Sequence, residues 1–259
     1  MTPPIARTPM IERGMLGPAR LLRLAHGKAS AFDLEFLLAL EAELAAAEAE
    51  GAPAIVLTGT GAIFSAGVDL VRLRDGGAAY VREFLPALGR CFERLFYLPR
   101  PTVAAVNGHA IAGGGVLTLA CDRRVMSRGN GRIGLPELKV GVPFPTLVIE
   151  IIRATLAPDV AQEIVLAGAT YEPEQALARG LVDEVVDPER LLTRAEEIAR
   201  DLAAVPPTSY RLSKERLRRP ARDACRQFGA AEDAATLAAW SSPEVLEAVR
   251  AYVARTLGK

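Results

Sequence analysis

The sequence has no excess of charge of either sign, because its 31 Lys and Arg residues are matched by 31 Asp and Glu residues. A surface that binds the phosphates of nucleic acid or of an anionic membrane needs a clear excess of Lys and Arg. No apolar run approaches the ~20 residues of a membrane span. The opening decapeptide, MTPPIARTPM, also lacks the apolar core of a secretory signal. We therefore expect neither nucleic acid nor a membrane among the partners.

Cysteine and histidine are scarce, with three and two residues respectively in a chain of 259. The cysteines, Cys91, Cys121 and Cys225, are far apart in largely apolar segments, which favours reduced thiols over a disulfide framework. His26 and His109 are too few for a His-rich metal site. These counts predict a cytoplasmic protein without a bound metal.

Two nucleotide-binding motifs are also missing. The glycine triplet at 113–115 is followed by Val116, where a P-loop would have Lys and then Ser or Thr. The glycines at positions 59 and 61 lack the third glycine of a dinucleotide-binding fingerprint. Neither loop therefore matches a known nucleotide-binding pattern.

What the sequence does contain is an alternation of strands and helices. Short apolar, β-branched runs at residues 54–58 and 102–106 indicate buried strands. Asp33 is placed to cap a strongly helix-forming run at 34–50. From about residue 188 the pattern is nearly all helical. The sequence predicts an α/β fold with a core at residues 1–200 and a helical appendage at 201–259.

The helix expected before the second of these strands contains a proline. Apolar positions recur at helical spacing from Val81 to Phe96. Proline lacks the amide hydrogen that a helix interior needs, so we expect Pro86 either to kink this helix or to begin it.

The glycine triplet at 113–115 follows the second strand and leads into an apolar helix. Each glycine costs about 1 kcal/mol relative to alanine in a helix interior, so the triplet does not serve the helix itself. It lets a ligand approach the backbone N–H groups of the first turn, which lack helical partners and carry the positive end of the helix dipole. Two interpretations stay open here: a site for a developing negative charge, or close packing of the helix on the sheet.

A second glycine-bearing loop, residues 59–70, follows the first strand. If the two strands are parallel neighbours, both loops open at the same edge of the sheet, where the ligand sites of α/β proteins form. One backbone N–H from each loop would then make an oxyanion hole, which stabilises negative charge on a carbonyl oxygen.

Four motifs follow one another along the chain: Phe64-Ser65-Ala66-Gly67-Val68-Asp69-Leu70, Val106-Asn107-Gly108 with Gly113-Gly114-Gly115, Cys121-Asp122, and Gly134-Leu135-Pro136-Glu137. In this order and spacing they resemble the crotonase superfamily, the enoyl-CoA hydratase/isomerase proteins. The resemblance implies a crotonase-like spiral of repeated ββα units with a C-terminal α-helical trimerisation region. It also implies a homotrimer, or a homohexamer built as a dimer of trimers.

By this resemblance the substrate is an acyl-CoA thioester, and Glu137 transfers its protons. The thioester oxygen would accept hydrogen bonds from the amides of Ala66 and Gly114, each donor being typically worth ~3 kcal/mol. Coenzyme A arrives as part of the substrate, and no separate cofactor is expected. Further residues expected to contact the substrate or its CoA moiety are Lys28, Ala29, Val68, Asp69, Leu70, Gly113, Leu117 and Phe144.

The position three residues past the middle glycine of the triplet separates two activities. The hydratases of the family have a second glutamate there, whereas this chain has Leu117, which can neither position water nor transfer a proton. The chain resembles the Δ3,Δ2-enoyl-CoA isomerases, in which one carboxylate removes a proton from C2 and returns it at C4. We expect Leu117 to line the pocket and exclude water, and partial burial to raise the pKa of Glu137.

Other interpretations stay open from the sequence alone. A hydratase would take its second carboxylate from elsewhere, Glu83 for instance, and a thioester hydrolase or decarboxylase would use the same fold. A catalytically inactive CoA-binding or scaffold protein would keep the fold without the chemistry, and Glu137 would then simply begin a helix. A triad of Ser65, His109 and Asp69 is disfavoured, because no G-x-S-x-G elbow surrounds the serine.

Overall fold

The computed structural model describes residues 9–256 of the chain. In chain order its strands are β1 (Ile11–Leu16), β2 (Ala19–Leu24), β3 (Ile55–Thr58), β4 (Ile63–Ser65), β5 (Thr102–Val106), β6 (His109–Ile111), β7 (Arg123–Ser127), β8 (Ile133–Gly134), β9 (Thr170–Tyr171) and β10 (Glu184–Val186). Its helices are α1 (Leu34–Ala49), α2 (Leu70–Phe96), α3 (Gly113–Ala120), α4 (Glu137–Val140), α5 (Thr146–Thr155), α6 (Pro158–Leu166), α7 (Pro173–Ala178), α8 (Leu191–Ala203), α9 (Pro207–Leu217), α10 (Arg219–Trp240) and α11 (Pro243–Thr256). A 3₁₀ turn, Pro188–Arg190, leads into α8.

Six strands form the larger sheet, in the order β1-β2-β3-β5-β7-β10. β1 and β2 are antiparallel, and the other neighbours run parallel. The strands expected at residues 54–58 and 102–106 are β3 and β5, and they are parallel neighbours with Thr58 paired to Ala105. The smaller sheet has the order β4-β6-β8-β9, in which β4, β6 and β8 run parallel.

Strands of the two sheets alternate along the chain. β3 of the larger sheet is followed by β4 of the smaller sheet and then by α2, and the same order recurs in β5-β6-α3 and β7-β8-α4. The expected α/β architecture of repeated ββα units is therefore confirmed. The strands β4, β6 and β8 are not evident in the sequence, because two or three residues are too few to show the alternation that marks a strand.

Both faces of the larger sheet are covered, which explains its uninterrupted apolar strands. Val56, Val103 and Ala105 belong to a cluster that packs against α8 on one face. Their neighbours Leu57 and Ala104 belong to the main core on the other face. Successive residues of a strand point to opposite faces, so each strand is apolar at every position.

The first two helices begin as their capping residues dictate, but α2 breaks at an unexpected place. Asp33 caps α1 as expected, with its Oδ1 accepting from the Phe36 amide at 2.8 Å. Pro86 does not begin α2, which starts at Leu70; a break in the helix lies at Gly77, whose φ of 55° and ψ of −151° are not helical. Only glycine adopts this backbone without strain, whereas Pro86 lies on the exposed face, where water can satisfy the carbonyl that loses its partner.

The chain after β10 is helical as far as the structure describes it. Helix α8 buries Leu191, Ala195 and Ile198 against the larger sheet. The division expected at residue 200 falls near the end of this helix, and α9, α10 and α11 follow it. None of the helices within residues 9–256 combines the length and the apolar composition needed to cross a membrane.

A buried carboxylate, Asp122, ties α9 to the sheet. Its side chain accepts from the Thr102 amide at 2.8 Å, from Lys214 Nζ at 2.7 Å and from Arg218 Nη2 at 2.7 Å. The Lys214 ammonium also donates to the Arg100 carbonyl at 3.0 Å. The three charged side chains are 7–12% exposed, so their mutual attraction is only weakly screened by water.

The substitution Asp122→Ala is expected to destabilise the fold strongly. It leaves Lys214 and Arg218 buried without their counter-ion, and loss of one partner from a buried ion pair costs about 3–5 kcal/mol. Urea unfolding followed by circular dichroism measures this change. Asp75→Ala is the control, because Asp75 forms an exposed pair with Arg74 and its removal is expected to leave the unfolding free energy nearly unchanged. Equal effects of the two substitutions would contradict the role of the buried cluster.

Candidate active site

Three neighbouring strands of the smaller sheet each end at a candidate functional segment. β4, β6 and β8 run parallel, with Ser65 beside Ala110 and Ile111 beside Gly134. Residues 66–69 follow β4, the glycine triplet follows β6, and Glu137 comes three residues after Gly134. The carboxyl ends of parallel strands meet at one edge, so the three segments lie together. The common edge belongs to the smaller sheet and not, as the sequence had indicated, to the sheet of β3 and β5.

The two glycine-bearing turns are in direct backbone contact. A Cβ at Gly67, whose φ is +77°, would lie 2.7 Å from the Gly113 nitrogen. A Cβ at Gly114 would lie 2.3 Å from the Ser65 carbonyl oxygen. Real Cβ atoms do not approach backbone this closely, so larger residues at Gly67 and Gly114 would force the turns apart. Glycine is therefore needed for close packing at these two positions.

The turn at 66–69 leaves one amide free, and it is not the one expected. The Ala66 amide donates to the Ala29 carbonyl at 3.0 Å, the Gly67 amide to Ser65 Oγ at 3.1 Å and the Asp69 amide to the Phe32 carbonyl at 2.9 Å. The Val68 amide has no acceptor within residues 9–256. The assignment of Ala66 as an oxyanion donor is therefore wrong in this structure, since its hydrogen is already bonded, and Val68 is the available donor of this turn.

The helix that follows the triplet begins without a side-chain cap. Its N-cap, Ala112, has a φ of 52°, which is unusual for a residue other than glycine. The first backbone hydrogen bond of the turn runs from the Val116 amide to the Ala112 carbonyl at 3.0 Å. The amides of Gly113, Gly114 and Gly115 have no acceptor in the described part of the chain. Free amides at the positive end of a helix dipole favour a negatively charged ligand atom.

Glu137 is a buried carboxyl group without a charged partner. It is the first residue of α4, is 9% exposed, and its Oε2 has no hydrogen-bond partner among the described residues. Burial disfavours the charged form and raises the pKa of Glu137 to about 8, opposed only by a hydrogen bond from its own backbone amide. A group with such a pKa can both accept and donate a proton near neutral pH.

A cavity of about 280 Å³ connects Glu137 with the turn at 66–69. Six of the residues expected at the site line it, namely Ala29, Ala66, Val68, Asp69, Leu70 and Glu137. Ile111 and Ala112, which precede the glycine triplet, also line it. Asp69 is the other carboxylate of the lining, but its Oδ1 accepts from the amides of Val71 and Arg72, both at 3.0 Å, as the N-cap of α2.

Five of the residues expected at the site are not part of the cavity wall: Lys28, Gly113, Gly114, Leu117 and Phe144. Lys28 is exposed to solvent. Leu117 is fully buried in the core, because α3 is packed on all sides and buries every residue that it contains. Phe144 is half-buried and packs against the same core. The expectation that Leu117 lines the pocket is therefore not met, although no carboxylate occupies this position.

Part of the wall comes from residues that the sequence did not indicate. Trp240 at the end of α10 and Tyr252 and Thr256 on α11 line the cavity, as do Val140 and Val142 next to Glu137. Residues more than 100 positions from Glu137 carry no local motif that joins them to it. The one available signal is that Trp240 is the single tryptophan of the chain.

The alternative catalytic groups have other roles. Ser65 Oγ donates to the Ser30 carbonyl at 2.8 Å, and His109 Nδ1 accepts from the Arg132 amide at 3.2 Å, so these residues do not form a triad. Glu83 is exposed on α2 and does not line the cavity. Within residues 9–256 no three His, Cys, Asp or Glu side chains come together as a metal site.

Comparison with known proteins identifies one family whose sequences this chain resembles over most of its length. A family model described as enoyl-CoA hydratase/isomerase matches residues 22–257. A putative enoyl-CoA hydratase of Thermus thermophilus is 41% identical over 64% of this chain and 66% of its own length. This alignment thus spans slightly less than two thirds of the Thermus protein.

Two solved structures share the fold. Human mitochondrial delta3-delta2-enoyl-CoA isomerase superposes with a TM-score of 0.91 over 96% of this chain and 98% of its own, at 23% identity, which shows likeness of fold alone. An enoyl-CoA isomerase of Mycobacterium tuberculosis superposes with a TM-score of 0.80 over 87% of this chain and 98% of its own, at 30% identity.

The buried carboxyl group makes stability depend on pH. Glu137 stays neutral in the folded protein up to about pH 8 but ionises near pH 4.5 in the unfolded chain, so its contribution to stability is lost as the pH rises through this window. Glu137→Gln has no such ionisation. The Tm of this variant minus that of the wild type is therefore expected to increase between about pH 5 and about pH 9.

Thermal unfolding at several pH values measures this difference. Glu83→Gln serves as the control, because it removes an exposed carboxylate and is expected to give a small difference at every pH. A Glu137→Gln difference that stays constant across the range would show that this carboxyl group is not buried as described.

Proposed function

The chain belongs to the enoyl-CoA hydratase/isomerase family, and within it we propose that this protein is a Δ3,Δ2-enoyl-CoA isomerase with Glu137 as its single acid–base group. One observation carries the proposal. Of the two carboxylates that line the cavity, Asp69 caps α2 through its Oδ1, and only Glu137 has a buried oxygen without a partner among the described residues. A hydratase needs two free carboxylates, one to position water and one to transfer a proton, whereas an isomerase needs one.

Two backbone amides are assigned to stabilise the negative charge of the intermediate. Removal of a proton from C2 of a 3-enoyl thioester gives a dienolate whose charge resides largely on the thioester oxygen. The amide of Val68 and that of Gly114 come from turns in contact with each other, and neither has an acceptor within residues 9–256. Two fixed donors stabilise the developing charge without reorganisation, and each is worth ~3 kcal/mol.

The proton transfers are assigned to Glu137. In its ionised form the carboxylate takes the proton from C2, and the double bond moves from C3–C4 to C2–C3 as the protonated carboxyl group returns the proton at C4. The product is the 2-enoyl thioester, with the same atoms as the substrate. The surrounding apolar residues Val140, Val142 and Trp240 limit water that would otherwise add to the product.

Two further expectations remain proposals. The assembly is a homotrimer or a homohexamer, for which the exposed apolar side chains of Leu212, Leu217 and Phe228 on α9 and α10 provide support. The location is cytoplasmic, in keeping with cysteines that are all free among the described residues. No cofactor is proposed beyond the coenzyme A of the substrate.

Incubation with 3-enoyl-CoA and, separately, with 2-enoyl-CoA tests the assignment. We expect conversion of the 3-enoyl to the 2-enoyl thioester, and a loss of at least ~10²-fold in this activity in Glu137→Gln. Asp69→Asn serves as the matched carboxylate control and is expected to retain far more activity, because the amide oxygen can still cap α2. Hydration of 2-enoyl-CoA without isomerisation of 3-enoyl-CoA would overturn the proposal, as would release of free CoA as the main reaction.

The pH profile of kcat/KM gives a second test. The free enzyme is active with Glu137 ionised, and its pKa is raised to about 8. We therefore expect kcat/KM to rise about tenfold for each pH unit below that value and to level off above it. A profile that is flat between about pH 6 and about pH 9 would contradict the assignment of Glu137 as the base.

A further inference from the structure

Trp240 joins the C-terminal helices to the turn that follows Glu137. It is the last residue of α10 and is 2% exposed. Its indole N–H donates to the Pro143 carbonyl oxygen at 2.8 Å, and its side chain also lines the cavity that contains Glu137. The Trp240 side chain therefore contacts the turn after Glu137, through the Pro143 carbonyl, and also borders the cavity that Glu137 lines.

The turn at residues 141–143 is itself folded back onto Glu137. The amides of Gly141 and Val142 donate to the Glu137 carbonyl oxygen at 3.0 and 3.2 Å. Gly141 has a φ of +97°, and a Cβ there would lie 2.9 Å from the Cβ of Ala248 on α11. A helix of four residues has few hydrogen bonds of its own, so α4 depends on these outside contacts for its position.

The same contacts keep charge and water away from the carboxyl group. The titratable side chains that line the cavity beside it are Asp69, before α2, and Tyr252 on α11, and α4 itself also carries Lys139. None of them contributes to the pKa shift of Glu137, which arises from burial. The apolar wall therefore decides the proton affinity of the carboxyl group, and Trp240 is its largest side chain.

We propose that Trp240 is a positioning residue for Glu137, which fixes the turn after α4 through the Pro143 carbonyl and closes the cavity to water. The kinetic part of this inference rests on the proposed function. The structural part does not, because the hydrogen bond and the wall exist without substrate. Loss of the indole would let water reach the carboxyl group and let α4 move relative to the two turns.

Trp240→Phe is the variant of choice, because phenylalanine keeps an aromatic ring but has no N–H group and a smaller volume. In the isomerase assay we expect the pKa seen in kcat/KM to fall by about one unit or more, as water stabilises the ionised carboxylate. We also expect kcat to fall about tenfold with a smaller change in KM, because the displaced carboxylate affects proton transfer more than binding.

Leu246→Ala is the matched control for general loss of packing. Leu246 is a buried residue of α11 that does not line the cavity and does not contact Pro143 through a hydrogen bond. It is expected to lower Tm while leaving the pKa in kcat/KM unchanged. If Leu246→Ala shifts that pKa as much as Trp240→Phe does, the effect is one of stability and the proposal is overturned.

A readout without substrate separates this inference from the proposed function. Tm is measured against pH for the wild type and Glu137→Gln, and again for Trp240→Phe and the double variant that combines the two substitutions. The pH range over which the two curves diverge is expected to move down by about one unit or more in the Trp240→Phe background. Curves that diverge over the same range in both backgrounds would overturn the proposal, whether or not the protein isomerises 3-enoyl-CoA. Absence of isomerase activity together with the expected shift would overturn the proposed function alone.

Discussion

The desolvation of one carboxyl group is the constraint on which the site depends. A carboxylate in water is strongly hydrated, and its transfer into an apolar cavity without a cation is so unfavourable that the group holds its proton instead. Glu137 is in this situation, since its burial raises its pKa to about 8 and no ion pair opposes the shift. Every element that keeps water and cations out of the cavity therefore contributes to the proton affinity of Glu137, including helices that are distant from it in sequence.

The glycines near this carboxyl group allow two turns to pack closely and also leave backbone amides uncovered. Gly67 and Gly114 let two turns approach within backbone contact, and such an approach leaves no room for side chains that would cover the amides. The sequence left open whether the triplet packs a helix closely or exposes amides to a negative charge. In the structure these alternatives coincide, because the turns that pack closely on each other also contain the free amides of Val68 and Gly114.

Much of this arrangement could be predicted from local sequence, and the rest could not for a physical reason. The buried strands β3 and β5 and the Asp33 cap follow from short-range patterns, whereas the burial of Glu137 is expected only from the family resemblance. The choice between the Ala66 and Val68 amides does not, since it depends on a hydrogen bond to Ala29 more than 30 residues away. The contribution of Trp240 to the cavity likewise depends on tertiary contacts, for which neither residue type nor spacing gives a rule.

The wall supplied by α10 and α11 has a consequence during biosynthesis. The free amides and the carboxyl group are encoded between residues 68 and 137, and a ribosome releases them well before Trp240, Tyr252 and Thr256 emerge. A chain that ends before α11 would contain Glu137 and the free amides but would lack Tyr252 and Thr256, so part of the cavity wall would be missing. Burial of this carboxyl group therefore requires the chain almost to its end.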